Sequence, residues 1–264
     1  MALDAAQTAG HTDNGIIAFE GLPNTRDLGG MPTSDGCRIR PRLLLRSGLL
    51  ARATDGDLAR LRDEYDLRLD IDLRTNDECA ERPDPIDAFP GLRFVHLPVF
   101  EEAASGVSRS QADMDRVRAQ VARGAAEPSE LMITLYPHML LDDCGIEAYT
   151  AFFREILACT EGAALWHCTA GKDRCGMASV FIECALGVPW EVIEADYMAT
   201  NRFYGIAVED GIPADPFEGV DRRYLAAAKD AVDREFGGML GYIERALGVD
   251  AAARAELRDR YLGE

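Results

Sequence analysis

Ala163-Ala164-Leu165-Trp166-His167-Cys168-Thr169-Ala170-Gly171-Lys172-Asp173-Arg174-Cys175-Gly176 is the stretch on which the reading of this chain turns. Its first residues suit a short buried strand, and an apolar helix starts at about Arg174 and stops near Gly187, a natural terminator. A strand that runs through such a loop into a helix turns backbone N–H groups toward one point. That point binds a dianion through those donors and through the helix dipole. The same field favours an ionised sulfur at Cys168. Arg174, six residues further on, is placed to fold back and grip two oxygens with its planar fork, and Lys172 adds charge near the rim.

Outward from the loop, strands alternate with helices. Ile16 to Phe19 reads as a short strand, and Asn24-Thr25-Arg26-Asp27-Leu28-Gly29-Gly30 ends in a tight turn. Leu43 to Leu45 is a second strand, and Thr54-Asp55-Gly56-Asp57 opens a helix with Leu58, Leu61 and Tyr65 on its apolar side. Leu67 to Arg74 alternates strictly, Leu67, Leu69, Ile71 and Leu73 against Arg68, Asp70, Asp72 and Arg74, which is a strand by period. Thr75-Asn76-Asp77-Glu78 is a capping box, so a short helix should follow and end at Pro83 and Pro85. Leu92 to Val99 is a further strand. Residues 101–142 read as a helical lid insertion, with stretches around 110–123 and 129–141, and Gly145 to Thr160 as a helix burying Tyr149, Phe152, Phe153 and Ile156. Pro189 suits the first turn of a helix reaching about Asn201, and helices broken at Gly237-Gly238 and Gly248 follow a loop at 205–219. The expected fold is α/β: a central, mainly parallel sheet flanked by helices, with the lid insertion and a helical C-terminal part. Residues 1–15 read as a mobile tail and 16–264 as one domain.

The chain has 264 residues, 47% hydrophobic and 28% charged, ordinary for a globular protein. A net charge of −18 argues against nucleic acid or an anionic membrane as a bulk electrostatic partner. An anionic substrate therefore needs a local positive field inside a negative protein. Seven cysteines without a C-x-x-C pair suggest neither a disulfide framework nor a zinc site, so no metal or cofactor is expected and a reducing cytoplasm is the simplest home. The first fifteen residues carry no signal-peptide pattern, though export by a route needing none stays open, and no apolar run is long enough to span a membrane.

A cysteine at the head of such a loop is placed for in-line attack on phosphorus, with the amides and Arg174 taking the charge of the equatorial oxygens. The leaving oxygen then needs a proton and the phosphocysteine an activated water, work that one carboxylic acid can do twice. The loop resembles that of the protein tyrosine phosphatase superfamily, whose mark is H-C-x5-R. It resembles more closely a bacterial and fungal branch that joins H-C-x-x-G-K-D-R to an upstream N-x-R-D-L-G-G, here at 167–174 and 24–30. Arg46-Ser47-Gly48, Asp72-Leu73-Arg74, Gly187-Val188-Pro189, Asp196-Tyr197 and the Tyr242 to Gly248 tail extend the likeness over about residues 16–262. The resemblance implies phosphotyrosine as substrate, with phosphoserine, phosphothreonine or phosphoinositides for some members. It implies Cys168 as nucleophile, Arg174 as phosphate clamp and Asp173 as general acid, with Asp72 a second acid candidate. Thr169, Ala170, Gly171 and Lys172 would line the phosphate site, Lys172 also reaching a second acidic group, and His167 would orient the loop. One position departs from the branch, which has Thr or Ser where Cys175 stands. A thiol hydrogen-bonds the departing sulfur weakly, so slower phosphoenzyme hydrolysis is expected, and a Cys168–Cys175 disulfide is conceivable beside a plain packing role.

Rival readings attach to particular residues. Asp70-Ile71-Asp72 is a D-x-D of the kind that metal-dependent phosphatases use, but Arg74 stands where they want Thr or Val. Sulfur transfer needs no Arg174, arsenate reduction needs a dedicated resolving cysteine, and a phosphate-binding module without turnover usually loses the nucleophile or the arginine. An inositol-phosphate or phosphoinositide phosphatase would use the same loop. Arg26 and Asp27 suit an ion pair at the turn, His96 and His138 are ordinary, and Tyr136, near the lid, either borders the pocket or packs, with packing preferred.

Overall fold

Residues 14–100, 119, 123–124, 127–209 and 212–264 are described by a computed structural model of the chain. Five strands form the central sheet: β1 (Arg26–Asp27), β3 (Leu44–Ser47), β4 (Leu67–Asp72), β5 (Arg93–His96) and β6 (Ala163–His167). Their order is β1-β3-β6-β4-β5, with β1 antiparallel to β3 and the rest parallel. Two ribbons lie outside it, β2 (Arg38–Ile39) with β9 (Leu262–Gly263) and β7 (Val208–Glu209) with β8 (Ile212–Pro213). The α/β reading with a largely parallel sheet and a helical C-terminal part holds.

The middle strand β6 is buried at every position, as a strand covered by helices on both faces must be. Leu165 packs on one face with Leu45 and Leu61, while Trp166 on the other meets Phe152 with ring centroids 5.4 Å apart. The helices doing the covering are α1 (Asp55–Asp63), α4 (Asp143–Ala158) and α5 (Arg174–Leu186). Several helix ends carry local signals. Thr54 and Asp57 close a capping box on α1, Thr75 and Glu78 close one on α2 (Asn76–Glu81), and α5 stops at Gly187 with φ +88°. Beyond them run α3 (Pro128–Leu141), α6 (Trp190–Phe203), α7 (Arg222–Phe236), α8 (Met239–Arg245) and α9 (Ala251–Tyr261).

Several expectations need correction. Ile16 makes only an isolated bridge to Arg26, because the chain turns before a ladder can extend. In β4 the strict alternation fails between Leu67 and Leu69, where the register against β6 shifts. Leu67 therefore joins the cluster of Leu61 and Leu165, whereas Leu69, Ile71 and Leu73 join that of Trp166. Of the polar half of the pattern, Asp70, Asp72 and Arg74 are buried. Pro189 is the residue before α6 rather than its first turn. Of the lid insertion, the stretch at 129–141 is α3, and the stretch at 110–123 lies almost wholly outside the described residues.

Candidate active site

In the sheet register, Ser47 of β3 and Asp72 of β4 both stand opposite His167, so the chain leaves the sheet between two strand tips and enters the loop. This is the carboxyl edge of a parallel sheet, where α/β proteins place their ligands. The loop from Cys168 to Asp173 then delivers the chain to the first turn of α5.

What shapes the loop is the fate of its carbonyls. Leu49 N–H donates to the Thr169 carbonyl at 3.1 Å, and the Tyr204 hydroxyl to that of Ala170 at 2.7 Å. The Gly171 carbonyl accepts from Asn24 Nδ2 and from an Arg46 nitrogen, both at 3.0 Å. A planar trans peptide points its N–H opposite its C=O, so three carbonyls held outward turn the amides of Ala170, Gly171 and Lys172 inward. Gly171 has φ +63°, and a Cβ there would lie 2.5 Å from the Ser47 carbonyl oxygen, so no other residue fits. The upstream motif now has a physical meaning. Asn24 braces Gly171, and Arg26 and Arg46 share the Asp196 carboxylate at 2.9 and 2.6 Å. Arg26 therefore does not pair with Asp27, whose carboxylate instead accepts from the Gly29 and Arg42 amides. Glu183, buried beside this platform, has its carboxyl pushed well up by burial and then by Asp196.

Arg174 is buried, and its fork is clasped by Glu78, Nη1 to Oε2 at 2.6 Å and Nη2 to Oε1 at 3.0 Å. Glu78 Oε1 also accepts from the Thr169 hydroxyl at 2.6 Å, which ties the clasp to the loop. Burial alone would raise the Glu78 carboxyl, but Arg174 and Thr169 outweigh it and hold it down at about 2. Burial likewise opposes the charge on Arg174, and Glu78 followed by Cys168 outweighs it. Glu78 escaped the sequence reading. Its capping box was legible, but nothing in the pattern said that the cap would face Arg174.

Lys172 is not at the rim: its ammonium is buried and donates to Asp173 Oδ1 at 2.8 Å and to the Gly219 carbonyl at 3.2 Å. Asp173 Oδ1 also accepts from the Tyr136 hydroxyl at 2.8 Å, so Tyr136 is more than a packing residue. Cys175 is a free thiol aimed at the Trp166 carbonyl, 3.5 Å away, and burial pushes it up to about 12.

Behind the loop, His167 Nδ1 lies 3.3 Å from the Cys168 carbonyl oxygen, while Nε2 faces Asp84 at 3.2 Å and Asp70 at 3.4 Å. These are ion-pair contacts without aligned hydrogen bonds, and both Asp70 oxygens are buried with no partner among the described residues. Burial disfavours charge on His167, yet Asp72, Asp84 and Asp70 together raise it to about 10. Burial raises Asp70 to about 7 despite His167. Asp72, the second acid candidate, is already engaged. Arg74 grips it with Nε and Nη2 at 2.7 to 3.0 Å, and His167 with Arg74 outweighs burial to hold its carboxylate far below the usual range. The D-x-D reading falls with it, since Asp70 is shut away and Asp72 is taken. Two donor groups come within ligating distance among the described residues, Asp72-Cys79-His96 and Asp70-Asp84-His167. In the first every donor is already engaged; in the second Asp84 is paired with Arg74 and His167 faces both carboxylates.

A buried cysteine at the head of a loop whose carbonyls are anchored outward, followed by a clasped guanidinium on the first turn of α5, is the arrangement of a cysteine-dependent phosphatase. The description of a tyrosine phosphatase family matches residues 17–263, and the chain belongs to that family. A candidate tyrosine-protein phosphatase of Cupriavidus necator is 32% identical, over 98% of this chain and 91% of its own length. The triple specificity protein phosphatase PtpB of Mycobacterium tuberculosis is 28% identical over 94% and 99%, and a tyrosine-protein phosphatase of Nostoc commune 28% over 86% and 78%. The protein is a protein-tyrosine phosphatase enzyme that works through cysteine. Among the described residues, no helix is long and apolar enough to cross a membrane.

Proposed function

We propose that Cys168, Arg174 and Asp173 carry the reaction within one domain, residues 16–264. The Cys168 sulfur attacks phosphorus in line; the S–P bond forms as the bond to the tyrosyl oxygen breaks, and Asp173 gives that oxygen its proton. Water then attacks the phosphocysteine, its proton passes to Asp173, and phosphate leaves as the sulfur regains its electron pair. The inward amides of Ala170, Gly171 and Lys172, with the peptide of Thr169, hold the equatorial oxygens alongside Arg174, and His167 orients the loop from behind. The observation that carries this reading is the outward anchoring of three successive carbonyls, Thr169, Ala170 and Gly171. Cys168→Ser should keep phosphate-analogue binding and lose turnover by about 10³-fold or more in a continuous assay. Full turnover by that variant would end the assignment.

The substrate is a phosphorylated protein, and we extend the range to phosphoserine, phosphothreonine and phosphoinositides on the family resemblance of the loop; a relative 28% identical carries triple specificity in its name. The buried Lys172 ammonium supports this less than a rim lysine would, since it already serves Asp173 and Gly219. Phosphopeptides, inositol phosphates and phosphoinositides compared at one pH decide the range. Seven cysteines outside any disulfide and the charge of −18 support a reducing cytoplasm and a protein that binds neither nucleic acid nor an anionic membrane.

A further inference from the structure

The two oxygens of Asp173 are treated unequally. Oδ1 accepts two donors, Lys172 Nζ and the Tyr136 hydroxyl, both at 2.8 Å, whereas no hydrogen bond reaches Oδ2 among the described residues. Tyr136 has one hydroxyl proton and gives it to Asp173, so the Tyr197 hydroxyl, 2.7 Å away, must donate to Tyr136. The result is a directed chain, Tyr197 to Tyr136 to Asp173, whose members are at most 3% exposed. Burial, then the nearby Asp173 carboxylate, keeps both phenols protonated far beyond their usual range, so they remain donors at any working pH. Their rings are fixed as well. Tyr136 meets Tyr197 edge-on with centroids 6.3 Å apart, and Tyr224 at 5.6 Å. Tyr136 comes from α3 and Tyr197 from α6, so neither anchor belongs to the loop it constrains.

We propose that Tyr136 is a positioning residue for the general acid: by holding Oδ1 together with Lys172, it confines the transferable proton to Oδ2 and fixes that oxygen toward the departing group. The inference rests on the assignment of Asp173 as the acid. Rotating the carboxyl to present Oδ1 would break two hydrogen bonds inside a buried site, which disfavours the wrong geometry. A proton on Oδ1 would compete with the two donors already there. The syn position on Oδ2 is what remains.

The effect of such a residue should appear only where proton donation matters. Phenyl phosphate releases a basic phenoxide and needs the acid; p-nitrophenyl phosphate releases a stable anion and scarcely does. For Tyr136→Phe we expect kcat/KM on phenyl phosphate to fall about tenfold, with less than about a twofold change on p-nitrophenyl phosphate. KM should stay unchanged for both. Tyr197→Phe, which leaves the Tyr136 hydroxyl in place, should show the same pattern at about two- to threefold, and serves if the first variant folds poorly. An equal fall on both esters, or no fall on phenyl phosphate, overturns the proposal. Asp173→Asn in the same two assays separates the levels. If it shows a steep leaving-group dependence and Tyr136→Phe shows none, the positioning role is wrong and the acid stands. If Asp173→Asn shows none, the acid assignment is wrong and the positioning role goes with it.

Discussion

On one side of Cys168 a single carboxylate, Glu78, meets a single guanidinium, Arg174; behind it three carboxylates, Asp70, Asp72 and Asp84, meet two cations, Arg74 and His167. The clasp balances as it stands, with each Glu78 oxygen taking donors from Arg174 and from Thr169 or the Thr75 amide. The rear cluster has one carboxylate more than it has cations, and Asp70, raised to about 7 by burial, is the member that most readily takes up a proton. The clasp is thus built to keep a charge fixed, and the rear cluster to keep one shared. Only the first holds a group to which the proposed reaction assigns the phosphate, Arg174.

The sharpest way to break this contrast is to remove one partner of the clasp. Glu78→Ala leaves Arg174 buried without its counter-ion, which should destabilise the fold by about 3–5 kcal/mol and lower kcat/KM by about a hundredfold. Urea titration and steady-state kinetics measure the two, and near-normal activity would mean that Arg174 needs no clasp.

Acid and alkali should separate the clusters. The folded-state Glu78 carboxyl lies below its unfolded value of 4.5, at about 2. Its contribution is therefore complete above pH ~4.5 and lost as pH falls toward ~2, on the order of 3 kcal/mol in all. His167 behaves oppositely: raised from 6.5 to about 10, it stabilises fully below pH ~6.5 and loses that as pH rises toward ~10. Asp70, raised from 3.8 to about 7, binds more protons folded than unfolded, so its burial weakens the fold as pH climbs from ~4 to ~7. Asp70→Asn should flatten that decline, gaining on the order of 1 kcal/mol at pH ~8, with activity changed less than about threefold. A melting temperature whose pH dependence matches the parent's would dissolve the distinction between the clusters. The smallest effect belongs to Cys175→Ser. A hydroxyl there would meet the same Trp166 carbonyl that the thiol faces, so kcat should change less than about twofold and kcat/KM not at all; a larger rise in rapid-quench phosphate release would mean that residue 175 reaches the departing sulfur.

Much of this site could be read in the chain, and the losses have physical causes. The strand, loop and helix from Ala163 to Leu186 were legible because all their information is local. Glu78, Asn24 and Arg46 act on a loop lying 91, 147 and 125 residues away, and no periodicity encodes such a meeting. Lys172 was placed at the rim because lysines usually are exposed, whereas the buried carboxylate of Asp173 and the Gly219 carbonyl drew it in. In β4 the pattern of leucines was real, but one irregularity after Leu67 shifted which face each served. Tyr136 looked like packing because its ring does pack; the hydroxyl carries the message.

The outward carbonyls of Thr169, Ala170 and Gly171 have a consequence for anyone who would move this chemistry elsewhere. Their four anchors, Asn24, Arg46, Leu49 and Tyr204, span most of the polypeptide. Transplanting the decapeptide from His167 to Gly176 onto a foreign scaffold would carry the letters and leave the grammar behind. A workable graft must bring the surrounding brackets as well.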